Sequence, residues 1–318
     1  MSYENVIILL LAILLDLVVS EPPSIIHPTV WTGKIIAILE KFGLEIRSKI
    51  WQFVFGALGS LFLILGLGYL SFLILAYASG FGILVYVVLG SVLLKPAFCL
   101  RYSCRLSLLV KIFLENGQVN NPSSAAVDIR YLLSTVEIKG GEEIRPAIIS
   151  STIRSLVENA SDFFVAPLFY FLILGVPGAI AYRVANTLDG MIGHRGKYEY
   201  LGKFAARFDD ILNFIPSRLT GLLFVLGSWI LGYNTRQSWK IMLRDHSNTE
   251  SPNAGWPMSA TAGALNARLD RSGYYSLGDA INPLTSETIL HSVKLFRTVA
   301  AFDILASASV IYLLYLLL

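Results

Sequence analysis

The chain has 318 residues, 55% of them hydrophobic and only 15% charged. Soluble globular domains carry about 25% charged residues, and the deficit here sits in long apolar runs spread from end to end. A soluble globular protein is therefore excluded, and residues 1–318 read as one integral membrane domain with polar loops. The net charge of +3, with no Lys/Arg cluster, argues against a nucleic-acid partner. Cys99 and Cys104, the two cysteines, are too few for a disulfide framework and are spaced for neither a CxxC redox pair nor a zinc site, so they read as buried thiols.

A membrane-spanning helix needs about 20 mostly apolar residues. Val6–Val19 is apolar apart from Asp16 and slightly short. Met1–Asn5 lacks Lys and Arg and no small-residue cleavage site follows, so the first helix is expected to be retained. Phe53–Tyr77 is long enough and punctuated by Gly56, Gly59, Gly66 and Gly68, which suits close helix packing. Ser79-Gly80 predicts a turn, Phe81–Leu94 a return, and Lys95-Pro96 its end. Residues 96–162 predict an amphipathic helix, a turn at Asn120-Asn121-Pro122 and a second helical region. Phe163–Ala185 is interrupted by Pro167 and Pro177, which predicts a kinked or broken helix. Leu219–Tyr233 is short, Ser251–Pro257 is too punctuated for a helix or central strand, and Val299–Leu318 predicts a closing span. The fold class is an all-α polytopic helical bundle with polar loops.

If all six runs cross, loops 20–52, 95–162 and 234–298 share one face and carry 4, 8 and 7 Lys/Arg, which makes that face cytoplasmic. Loop 186–218, with 5, then falls on the other side. The expectation is that Phe163–Ala185 and Leu219–Tyr233 are re-entrant or tilted around a polar cavity.

The polar residues flanking the apolar runs are the candidate site, because ionisable groups at membrane depth are costly unless paired, hydrated or ligand-bound. Asn186 and Asp189 stand i, i+3 on one helix face; Arg207, Asp210 and Asn213 form an i, i+3, i+6 stripe beside Asp209; Arg218 follows Pro216. Carboxylates grouped with amides and arginines suit Mg²⁺–phosphate chemistry, with hard oxygens for the metal and guanidinium forks for phosphate. The competing reading is a salt-bridge network that only locks helices together. Glu158 and Asp162 are i, i+4 and share a helix face, holding a cation or basic group between them or else ending a solvated helix; they also suit a helix N-terminus at Phe163. Asp16, Glu21 and His27, around Pro22-Pro23 and Pro28, either face the cavity and bind a cation or amine, or mark a helix stop. In Ser251–Pro257, Gly255 permits close backbone approach and Trp256 offers a flat face, as a ligand lid or an ordinary turn. His194, His246 and His291 have no ligand-like spacing. A phosphate-binding GxxxxGK[ST] loop, a GxGxxG turn, a GxSxG elbow and an HExxH pair are all absent.

The segments EPPSIIHPTVWTGKIIAILEK, SLVENASDFFVAPLFY, AYRVANTLDGMIGHR, AARFDDILNFIPSRLT and SPNAGWPMSATAGALNARL resemble, in order and over essentially the whole chain, the signatures of the membrane-bound adenosylcobinamide-phosphate synthases of cobalamin biosynthesis (the CbiB/CobD family). Two departures stand out. Ser20-Glu21-Pro22 replaces the usual Gly-Asp-Pro, and STVEIKGGEEI replaces a Val-Gly-Arg-Asp-Thr stretch. The resemblance implies ATP-dependent amide formation between a propionate carboxyl of adenosylcobyric acid and 1-amino-2-propanol phosphate or ethanolamine phosphate. It implies ATP and Mg²⁺ as cofactors and a multi-pass protein in the cytoplasmic membrane, with other membrane proteins of the corrinoid pathway as partners. Activating the carboxylate calls for catalytic or metal-side carboxylates among Glu158, Asp162, Asp189, Asp209 and Asp210, the metal falling to the last three. The candidates for phosphate are Arg207 and Arg218. Asn186, Asn213 and Asn253 are expected to orient amides on the corrin rim and Trp256 to pack on its apolar face, with Glu21 and His27 completing the expected substrate-binding set.

Two other classes compete. A CDP-alcohol phosphotransferase also combines Asp-Gly with later Arg, Gly and Asp, but Asn186 replaces its first Asp and the spacings of Arg195, Gly202 and Asp209-Asp210 do not fit. A secondary transporter would use broken helices with midplane charge, but no repeated halves are visible.

Overall fold

The computed structural model describes residues 3–19, 21, 23, 25, 27–117 and 144–317. The Asn120-Asn121-Pro122 turn and most of STVEIKGGEEI lie outside the described residues. Twelve α-helices are described: α1 (Glu4–Val19), α2 (Pro28–Glu45), α3 (Lys49–Ser79), α4 (Ile83–Leu94), α5 (Leu100–Glu115), α6 (Ile144–Ala160), α7 (Ala166–Ile192), α8 (Lys203–Leu212), α9 (Phe214–Ile230), α10 (Thr235–Asp245), α11 (Gly255–Ala264) and α12 (Ser286–Leu317). The strands β1 (Leu269–Arg271) and β2 (Tyr275–Leu277) pair antiparallel and form the one sheet among the described residues. The protein is thus an all-α polytopic membrane protein.

Among the described residues, four helical stretches are long and apolar enough to cross a membrane: Lys49–Ser79, Ile83–Glu115, Ile144–Ile192 and Ser286–Leu317. Lys203–Leu212 and Phe214–Ile230 pass the same test only when taken together, as a broken span or a re-entrant loop. The short run at Leu219–Tyr233 therefore lies mostly in a helix that begins at Phe214 and ends at Ile230, and the closing helix begins at Ser286 rather than Val299. The solvation pattern of α3 fits lipid. Its large residues Phe62, Leu65, Tyr69, Phe72 and Tyr77 are exposed, while Gly56, Ser60, Gly68, Ser71 and Ala78 are buried. Small residues inside let helix backbones approach where apolar burial provides no drive.

The chain divides into two compact units, Met1–Cys99 with Ala166–Asn213 and Leu305–Leu318, and Leu100–Val165 with Phe214–Ile304. In the first, Ile36, Leu63, Ile64, Val184, Ala185, Leu188, Ile192 and Ala205 form a core between α2, α3, α7 and α8. The Ser91 hydroxyl of α4 donates to the Val87 carbonyl of its own helix (2.7 Å) and also approaches the Ile8 carbonyl of α1 (3.3 Å). The expected break in Phe163–Ala185 takes two forms. A π-helical turn, Ser161–Val165, precedes Pro167, and α7 kinks at Gly175 (φ 68°, ψ −158°), two residues before Pro177. Proline cannot donate to its preceding turn, and this backbone region is essentially open to glycine alone. No new helix starts at Phe163, because the chain continues through the π turn; Glu158 is exposed and Asp162 half-buried.

In the second unit, Ser238 of α10 donates to the Ala260 carbonyl of α11 (2.8 Å). Gly263 lies so close to the Gln237 carbonyl that a Cβ would collide with it. Ser150 clips α6 to β1, donating to the Asp270 carbonyl (2.8 Å) and accepting from the Asp270 N–H (2.9 Å). One expectation is corrected here: Gly255-Trp256-Pro257 opens helix α11 instead of continuing a loop. Pro257 lies in the first helical turn, where N–H groups lack intrahelical acceptors, so its missing N–H costs nothing.

A Cβ on Gly56 would fall on the Leu201 carbonyl and one on Gly202 on the Ile192 carbonyl, whereas Gly66 has nothing within 4 Å. Gly56→Ala and Gly202→Ala should each cost about 1–3 kcal/mol of stability through overpacking, read as a lowered unfolding midpoint in detergent. Gly66→Ala should leave the midpoint unchanged or raise it, since alanine suits a helix interior better.

Candidate functional site

Of the polar residues singled out in 186–218, Asn186, Asp209 and Asn213 meet directly, all within the first unit. Asp209, buried on α8, accepts from the Asn186 side chain of α7 at Oδ1 (3.4 Å) and from Asn213 at Oδ2 (2.9 Å). Asn213 in turn accepts at Oδ1 from the buried Tyr182 hydroxyl (2.8 Å). Arg207 pairs with Asp210 (3.4 Å), but Asn213 reaches Asp209, four residues back on the same helix, and not Asp210. Arg207 is exposed and Asp210 half-buried. Asp189 and Asp210 both act electrostatically on Asp209. Asp189 packs on Gly193, where a Cβ would strike its carboxylate; this explains the glycine in Asp189-Gly190-x-x-Gly193.

Among the described residues, no three His, Cys, Asp or Glu side chains converge as a metal-binding group. A closed protein cage for a cation does not fit. Asp189 and Asp209, with Asp210 nearby, do fit the looser mode of Mg²⁺, which keeps its waters and takes one or two carboxylates plus ligand phosphates. The two asparagine bonds leave Asp209 with unused lone pairs, since a carboxylate has about four acceptor sites.

Glu21 and His27 meet in the same unit, in a way the spacing alone did not reveal. The His27 Nε2 lies 2.7 Å from Glu21 Oε2, and the Lys95 ammonium lies 2.7 Å from Glu21 Oε1 and 3.3 Å from Asp16. His27 Nδ1 accepts from the Thr29 N–H and caps α2, which leaves Nε2–H to donate to Glu21. The cation held by these acids is therefore the chain's own Lys95, itself buried.

In the second unit Arg218, Asn253 and Trp256 come together. The Arg218 guanidinium lies 3.5 Å from the Phe214 ring centroid and 4.9 Å from that of Trp256. It also donates to the Phe214 carbonyl (2.6 Å) and to Asn253 Oδ1 (3.4 Å), which the Ser217 hydroxyl also approaches (3.3 Å). His246, assigned no role from its spacing, stacks on Trp256 with ring centroids 4.0 Å apart and 15° between planes. The flat face expected to receive a ligand thus already carries an imidazole. Glu158 and Asp162 also belong to this unit.

These features define a helical membrane protein with a buried carboxylate–asparagine cluster in one unit and an arginine–aromatic cluster in the other. The CobD/Cbib protein family model matches residues 9–296, and the chain belongs to that family. It is 41% identical over 309 residues, 97% of this chain and 98% of the relative, to "Cobalamin biosynthesis protein CobD" of Dehalococcoides mccartyi. It is 36% identical over 321 residues, 96% and 98% respectively, to "Probable cobalamin biosynthesis protein CobD" of Methanothermobacter thermautotrophicus. A Pyrococcus furiosus protein of that same name is 34% identical, over 95% of this chain and 97% of its own. No solved structure matches.

Burial alone would push the Glu21 carboxyl up, but hydrogen bonds and charge from His27 and Lys95 outweigh it and hold the group below its ordinary 4.5. The stabilisation is therefore present above pH 4.5 and lost as pH falls through the lower folded value. The unfolding midpoint should drop over that acid range, and Glu21→Gln should flatten the drop. Lys95→Met, which strands buried carboxylates, should cost about 3–5 kcal/mol at neutral pH.

Proposed function

We propose that the protein acts in cobalamin biosynthesis as an ATP-dependent amide-forming enzyme of the cytoplasmic membrane. It joins adenosylcobyric acid to an amino-alcohol phosphate, giving adenosylcobinamide phosphate. The observation that carries this reading is the buried Asp209 cluster, in a chain whose family match runs almost end to end.

A carboxylate does not condense with an amine unaided, because its oxygen is a poor leaving group. In the proposed sequence a propionate oxygen attacks the γ-phosphorus of ATP and ADP leaves. The amine nitrogen then attacks the acyl carbon, the C–O bond to phosphate breaks, and the nitrogen loses a proton as the amide forms. Mg²⁺, when bound, supplies neutralising charge at the phosphate oxygens. Asp189, Asp209 and Asp210 would hold it. Asn186 and Asn213 fix the Asp209 carboxylate between α7 and α8, so that no side-chain reorganisation is needed during the reaction. Arg218, its guanidinium packed between hydrogen bonds and aromatic rings, presents a fixed donor to phosphate. Exposed Arg207 offers a second such donor. Asn253 and Trp256, with His246 behind the ring, form a polar and an apolar contact for the corrinoid. Glu158 and Asp162 serve the amine side. Glu21 and His27 support this arrangement by ordering the entry to α2.

The test is a product assay on purified protein with adenosylcobyric acid, ATP, Mg²⁺ and aminopropanol phosphate, following the corrinoid by mass spectrometry. The expected result is an ATP-dependent mass gain equal to the amine minus water, and ethanolamine phosphate in its place defines the amine. Asp209→Asn, which removes the charge but keeps the side chain's shape, should lower the rate about a hundredfold or more, the scale of a misplaced reacting group. Undiminished turnover in that variant would remove Asp209 from the machinery, and no product with either amine from folded protein would overturn the reading.

A further inference from the structure

The second unit contains a cavity of about 630 Å³ that none of the sites above uses. It lies between α6 and the β1–β2 hairpin and is lined by Ser150, Arg154, Arg268, Asp270, Arg271 and Tyr275, among others. Its volume falls in the range of small-molecule sites, about 300–1,000 Å³. We propose that this cavity binds the phosphate groups of a small-molecule substrate, with Arg154 as the central ligand.

Charge is the first support. Among the described residues, three arginines and one carboxylate line the cavity, and the carboxylate, Asp270, is already paired with Arg268 (2.8 Å). Arg271 reaches Glu250 (3.6 Å) and stacks over the Tyr274 ring at 4.4 Å. Arg154 is different: among the described residues it meets no carboxylate. Its Nη1 donates to the Tyr275 hydroxyl (3.2 Å), its guanidinium lies 5.8 Å from that ring, and its Nε is buried without a hydrogen-bond acceptor. A half-buried guanidinium with an unsatisfied N–H costs free energy that an anion would recover, and a guanidinium fork matches phosphate oxygens geometrically.

Preorganisation is the second support. The two Ser150–Asp270 hydrogen bonds tie the helix carrying Arg154 to the strand carrying Arg271. The hairpin register sets Arg271 opposite Tyr275 and Asp270 opposite Ser276, and Arg268 donates to the Ser276 hydroxyl (3.1 Å). The cationic groups are thus placed by the hairpin and α6 before any ligand arrives.

The proposed reaction supplies two phosphate-bearing molecules, ATP and the amino-alcohol phosphate; naming them rests on that reading, whereas the anion site itself does not. The experiment is calorimetric titration of the full-length protein in detergent with AMP-PNP, O-phosphoethanolamine and inorganic phosphate, each on wild type, Arg154→Gln, Arg268→Gln and Tyr275→Phe. Unfolding midpoints establish that each variant is folded. Arg154→Gln should weaken the bound ligand about ten- to hundredfold, as expected for loss of charged hydrogen bonds. Arg268→Gln and Tyr275→Phe should weaken it less. Loss confined to AMP-PNP identifies the nucleotide, loss confined to O-phosphoethanolamine the amine phosphate, and loss for all three a general phosphate site. Unchanged affinities in folded Arg154→Gln and Arg268→Gln, or no binding of any probe to wild type, would overturn the proposal. Amide formation by wild type alongside unchanged affinities in the variants would overturn the cavity assignment alone; phosphate binding without amide formation would leave it standing.

Discussion

A carboxylate buried among membrane-depth helices must have its charge answered by the protein or by a ligand. Asp209 meets half of that requirement with two asparagine amides and leaves the rest open. The consequences extend through the first unit. Asn186 ties the carboxylate to α7, and Asn213, at the end of α8, is itself held by Tyr182. Gly193 leaves room for Asp189 beside them, and Gly202 and Gly56 let the connecting backbone pass close to its neighbours.

The same economy of small residues governs the apolar architecture. The large side chains of α3 face outward, where lipid solvates them, and glycine, serine and alanine face the interior. Helix association then depends on close backbone approach. Where the chain departs from regular helix, at the π turn of 161–165 and at Gly175, proline lies two residues further on in each case.

The chemistry divides between the two units. The first holds the carboxylates and amides suited to a hydrated cation with phosphate, and a separate buried ion cluster at Asp16, Glu21, His27 and Lys95. The second holds arginines placed against aromatic rings, Arg218 on Phe214 and Trp256, and Arg154 near Tyr275.

Much of this was legible in the residues before any coordinates. Runs of about 20 apolar residues require helices that satisfy their own backbone, so the all-α membrane class followed directly, as did the break near Pro177. Polar residues clustered beside such runs marked Asn186, Asp189, Asp209 and Asp210, because charge there is too costly to be incidental. Helical periodicity, however, reports only which residues share a face of one helix, not what a neighbouring helix sets against that face. It could not pair Glu21 with Lys95, 74 residues on, nor His246 with Trp256. It read Pro257 as a loop breaker when its place in a first turn made it harmless, and it passed over Arg154, whose cavity exists only once the hairpin folds against α6. Local composition determined the elements and the cost of their charges; which charge meets which partner was decided by helix packing, because those contacts join residues far apart in the chain.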